Sequence, residues 1–68
     1  MSRIELIREL IDAKIIEINS DMRLINKYDI LEDQKKVDAF KAELAKDQAK
    51  LAMLQSKLEI ELAKESQT

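Results

Sequence analysis

The side chains in this sequence that could carry chemistry are carboxylates, amines and hydroxyls, and their spacing decides what each could do. Glu5 with Glu9, Glu17 with Asp21, and Glu61 with Glu65 each stand one helical turn apart, which puts two carboxylates on one helix face. Such a pair can work as general acid and base, or share a divalent cation. A chain with 14 acidic residues also produces these pairs as ordinary solvated helix surface, which is the expectation for all three. Ser2, Ser20, Ser56 and Ser66 are scattered, and the sequence has no His and no Cys. Neither a Ser–His nor a Cys–His nucleophile can therefore be assembled. The usual zinc and haem ligands are missing, as is the Glu-x-x-His motif of di-metal bundles. With no Gly there is no phosphate-cradling loop. The expectation is a protein that is not an enzyme and takes no cofactor, metal or small-molecule substrate.

The amines are Lys35, Lys36, Lys41, Lys46, Lys50 and Lys57, in the more basic half of the chain. From Lys35 onward there are seven Lys against six Asp and Glu, a net of +1. A nucleic-acid footprint gathers Arg and Lys on one face and often adds stacking aromatics. This half has no Arg, and its one aromatic, Phe40, falls on an apolar stripe. The overall charge of −2 points the same way, so nucleic acid is disfavoured as a partner. A nucleic-acid-binding dimer using the Lys35–Lys57 face is kept as an alternative from another class.

A third group consists of polar residues inside apolar zones: Lys14, Asn19, Asp47, Gln48 and Gln55. Long polar side chains at the border of a stripe can simply reach out to water. Alternatively, Lys14 or Asn19 opposite Asp47 or Gln48 fixes register and oligomeric state, as lone polar residues do between helices. Sequence alone leaves these two readings level.

The elements that position these groups must be helices. The chain has no Gly and no Pro, so the tight turns of a small β fold have no residues to form them. Charged residues make up 38%, apolar residues 46% and aromatics 3%, a composition typical of long helices. Ser2 and Glu5 form an S-x-x-E capping box, and Met1 with Leu6 occupy the positions of a hydrophobic staple. From there Ile4, Ile7, Ile11, Ile15, Ile18, Met22 and Ile25 recur at steps of three and four, predicting a first helix over about 3–25. The consecutive four-residue steps at Ile7, Ile11 and Ile15 break a strict heptad, favouring bundle-like pairing over a long zipper.

The stripe lapses after Asn26, which can take a left-handed C-terminal position, and Asp29 with Glu32 offers a second capping pattern. A turn at 26–29 follows, with 31–34 as its rival. A second helix is expected over about 30–64, its stripe being Val37, Phe40, Leu44, Leu51, Leu54, Leu58 and Leu62. The polar tail over 65–68 is expected to fray. One unbroken helix in a parallel coiled coil is the architectural alternative.

The fold class read from the sequence is thus all-α, a single-domain antiparallel helical hairpin spanning 1–68. Two apolar flanks remain once the stripes face each other. One is Leu6, Leu10, Leu24 and Tyr28; the other is Ala45, Ala49, Ala52, Met53 and Ile60, with Leu62 at the far end. A turn at 26–29 also leaves Leu54 to Leu62 overhanging the first helix. Two helices of this size rarely hold enough core to stand alone. Dimerisation into a four-helix bundle covers the flanks, which predicts a homo-oligomeric adaptor, regulator or assembly factor. A chaperone-like hairpin covering a client helix with its overhang is the runner-up. The sequence has no Cys and no apolar run approaching the ~18 residues of a membrane span, and acidic residues appear at once after Met1. A cytoplasmic protein without a membrane partner is the expectation.

Overall fold

In the computed structural model, which describes residues 2–66, the chain forms two helices, α1 (Arg3–Ile30) and α2 (Gln34–Ser66), packed against each other as an antiparallel hairpin. α1 begins as its capping residues dictate. Ser2 holds an extended backbone, and its Oγ accepts from the Glu5 backbone N–H at 3.1 Å. Glu5 also places a negative charge in the first turn, where the helix dipole favours it. The staple expected between Met1 and Leu6 involves a residue outside the described ones.

The turn lies at 31–33, not at 26–29, and α1 runs straight through Asn26 and Asp29. What stops the helix is a left-handed residue at Glu32, with φ of 57°. The Glu32 N–H then donates to the Asp29 carbonyl at 3.0 Å, and the Asp33 N–H to the Tyr28 carbonyl at 2.9 Å. These are the two bonds of a Schellman ending, which satisfies carbonyls that the last helical turn would otherwise leave open. Asp33 also starts α2: its Oδ1 accepts from the Lys36 N–H at 3.3 Å and its carbonyl from the Val37 N–H at 3.1 Å. One residue therefore closes the first helix and caps the second. Nothing in the sequence marked Glu32, because a left-handed position normally draws Gly or Asn.

The later turn reshapes the pairing. α1 is 28 residues long and α2 is 33, so the expected overhang largely disappears. At the open end Arg3 Nε lies 3.3 Å from Glu61 Oε1, and Leu54 and Leu58 are half-buried in the hairpin itself. α2 continues through Ser66, two residues past the expected end, with the Ser66 hydroxyl donating to the Ala63 carbonyl. The rest of the expected frayed tail, 67–68, lies outside the described residues.

The buried and half-buried positions of α1 are Ile4, Ile7, Ile11, Lys14, Ile18, Asp21, Ile25 and Tyr28, with Leu24 beside them. Those of α2 are Val37, Phe40, Leu44, Asp47, Leu51, Leu54, Leu58 and Glu61. Both series alternate strictly by three and four. The break inferred at Ile11 is corrected by Lys14 and Asp21, polar residues that fill two places in the seam. Ile15 and Met22, expected in the core, stand one position further round the helix and are exposed. At 100° per residue that single step turns a side chain off the seam.

The hairpin measures 55 × 17 × 12 Å, with a radius of gyration of 15.8 Å. A compact domain of this length would have about 11 Å. The molecule is a rod one helix pair thick. Among the described apolar side chains, only Ile7 and Val37 are buried, and neither completely.

Candidate functional site

Two features of the rod stand out: a polar layer inside the seam and an apolar edge outside it.

The polar layer is built from Lys14 and Asp21 of α1 and Asp47 of α2. Asp47 is only 6% exposed, a rare degree of burial for an acid. Lys14 Nζ stands 3.5 Å from Asp47 Oδ1 and 2.8 Å from Glu17 Oε2. Those carboxylates hold the Lys14 amine above its ordinary value, the hydrogen bond to Glu17 contributing most. Asp21 meets Asp47 from two helical turns beyond Lys14 along α1, near Glu17 and Glu43. Asp21 Oδ2 is buried with no hydrogen-bond donor. Protonated, Asp21 can donate to Asp47. Two carboxyls this close cannot both ionise freely. Asp21 is accordingly pushed up to about 6, first by the hydrogen bond to Asp47, then by burial and by the charges of Asp47, Glu43 and Glu17. Asp47 is held below the ordinary carboxylate range, first by the hydrogen bond from Asp21 and then by Lys14, with Lys50 assisting.

Of the four expected register residues, the structure brings together Lys14 and Asp47. Asn19 and Gln48 are exposed and outside the seam. In the sequence Asp21 reads only as half of an acidic pair with Glu17. The signal that identifies it is the strict three-four count, which lands on 14 and 21 when polar residues are not skipped.

Like flanks of the two helices adjoin in an antiparallel pair. One edge of the rod therefore carries Leu6, Leu10 and Glu17 of α1 beside Lys50, Met53, Lys57 and Ile60 of α2. Leu6, Ile7, Leu10 and Leu54 floor a groove of about 240 Å³ there, rimmed by Arg3 and Lys57. Leu10 is 46% exposed, Met53 51% and Ile60 56%. The opposite edge carries Ile15 and Met22 beside Ala45, Ala52 and Leu62, while Ala49 points outward. The expected interface set is thus divided between edges. Leu24 and Tyr28 are half-buried and belong to the hairpin: the Tyr28 ring stacks on Phe40 with centroids 5.7 Å apart and planes 1° from parallel. Lys36 Nζ sits 4.7 Å from the centre of the same Tyr28 ring.

The lysines of α2 do not form one face. Lys36, Lys50 and Lys57 share the Leu10 edge, Lys41 lies on the other, and Lys35 points outward. Lys46 Nζ is 3.8 Å from Glu43 Oε1. No helix among the described residues is long and apolar enough to cross a membrane. Comparison of the chain with protein-family models, curated proteins and solved structures gives no match.

Proposed function

We propose that this chain is a non-enzymatic protein-interaction module whose working form is a homodimer, two hairpins packed as a four-helix bundle. In that form it acts as an adaptor, a regulator or an assembly factor. The observation that carries this reading is the Leu6–Leu10–Met53–Ile60 edge, large apolar side chains left in water beside a seam with little fully buried core. The partner we assign to the edge is a second copy, and surface area is the reason. The chain exposes 5293 Å², where a compact monomer of 7.9 kDa would expose about 4400 Å². The excess matches the roughly 800 Å² each partner buries in an ordinary stable interface. A single hairpin this small is also short of stabilising core, and pairing two supplies it. The absence of Cys is in keeping with a reducing, cytoplasmic setting.

Sedimentation equilibrium over a hundredfold concentration range tests the proposal. The expected result is a dimer that the paired change Leu10→Glu and Met53→Glu converts to monomer. Met22→Glu, on the opposite edge, should leave the dimer intact. A monodisperse, thermally stable monomer from the unaltered chain would overturn the reading.

A further inference from the structure

We propose that the Asp21–Asp47 pair, held by Lys14, is a proton-operated lock between the two helices, tightening the middle of the hairpin when the pair takes up one proton and loosening it when that proton leaves. The lock lies within one hairpin, so it stands independently of dimerisation.

The geometry supplies each part. Asp47 is buried on the seam of α2, and Asp21 comes from the seam of α1 with one oxygen enclosed and without a donor. The charged groups acting on Asp21 are Glu17 on its own helix and Asp47 and Glu43 on α2, with Lys14 and Lys50 beside Asp47. Three carboxylates thus surround a fourth. The amine that enters the layer, Lys14, is already shared between Glu17 and Asp47. An ionised Asp21 therefore adds a charge with no cation of its own inside the seam. A protonated Asp21 bridges to Asp47 instead.

The direction of the pH effect follows from linkage. Asp21 is raised from 3.8 to about 6, so the folded hairpin binds this proton more tightly than the unfolded chain does. Its contribution is complete below 3.8 and is lost as pH rises through about 6. Asp47 shifts the other way: its contribution is present above 3.8 and is lost as pH falls through its lower folded value. The lock is strongest with one proton on the pair, between 3.8 and about 6.

The test combines a titration with a variant. Carboxyl carbon NMR of aspartate-labelled protein, from about pH 3 to 8, should show Asp21 titrating near 6, and Asp47→Asn should return that midpoint toward 3.8. At fixed protein concentration, the melting temperature of the unaltered chain should fall by several degrees from about pH 5 to 7.5. Asp21→Asn keeps a donor without the charge, so it should melt higher at pH 7.5 and show a flat profile over that interval. An Asp21 midpoint near 3.8 in the unaltered chain overturns the proposal, as does an equally steep profile in Asp21→Asn. If that variant does not fold, the titration of the unaltered protein decides alone.

Discussion

Lys14 Nζ and Asp47 Oδ1 lie 3.5 Å apart across the seam, joining positions separated by 33 residues of chain. Sliding either helix by one turn would bury one of these charges without the other. Breaking a buried charge pair from one side leaves the partner uncompensated, whereas replacing it with apolar groups of similar size is often favourable.

The two halves of the pair should therefore respond in opposite ways. Lys14→Met leaves Asp21 and Asp47 together without their cation, and the melting temperature should fall, more at pH 7.5 than at pH 5. Asp47→Leu leaves Lys14 its partner Glu17 and relieves an ionised Asp21 of its neighbour, so the melting temperature should rise at pH 7.5, where the Asp21–Asp47 bridge has lost its proton. That gain should come with lost uniqueness, seen as a broader mass distribution in sedimentation velocity. A rise with an unchanged distribution would remove the register role and leave only an electrostatic one.

Glu32 is the left-handed residue of the turn, and any residue with a Cβ is disfavoured there by about 1 kcal/mol or more. Glu32→Gly should raise stability by roughly 0.5–1 kcal/mol, after allowing for the entropy glycine adds to the unfolded chain. Glu32→Ala should give no such gain. Denaturant melts of both variants separate backbone strain from loss of the side chain.

Asp33 serves both helices, so its side chain and its backbone can be tested separately. Asp33→Ala deletes the acceptor for the Lys36 N–H while leaving the backbone bond to Tyr28, and should cost about 1 kcal/mol. Asp33→Ser, another good cap, should recover most of it. Equal losses for Ala and Ser would mean that the cap contributes nothing beyond the backbone bonds.

How much of this was legible in the sequence depended on which physical signal each residue gave. Ser2 and Glu5 announced the start of α1, since a capping box is local chemistry. The hairpin itself followed from two apolar stripes with a lapse between them, but not the position of the turn. Asn26 and Asp29 looked like terminators by residue type, and long-range pairing of the seams overrode them. The end of α1 rests instead on Glu32, whose type argues against its conformation. Within the site, Lys14 and Asp47 were visible as polar residues in apolar company. Asp21 was hidden because Met22, one position on, completed a plausible apolar stripe. Whether an isoleucine or an aspartate takes a seam position is decided by register along the whole helix, which a local count does not see.

Tyr28 and Phe40 stack across the seam near the turn, and they are the only aromatic residues in the chain. Offset-stacked rings contribute about 0.5–1.5 kcal/mol beyond the area they bury. The Tyr28 carbonyl also receives the Asp33 N–H, so the ring stack and the turn are anchored to one residue. Tyr28→Leu and Phe40→Leu keep apolar bulk, and a double-mutant cycle on the two should show a coupling of about 0.5–1.5 kcal/mol. Lys36→Met, which removes the nearer of the two lysines over the Tyr28 ring (Lys27 Nζ lies at 5.4 Å), should cost under about 1 kcal/mol, and nothing once Tyr28 is Leu. Zero coupling between the rings would mean that the seam closes at Val37 and that the stack follows the turn without stabilising it.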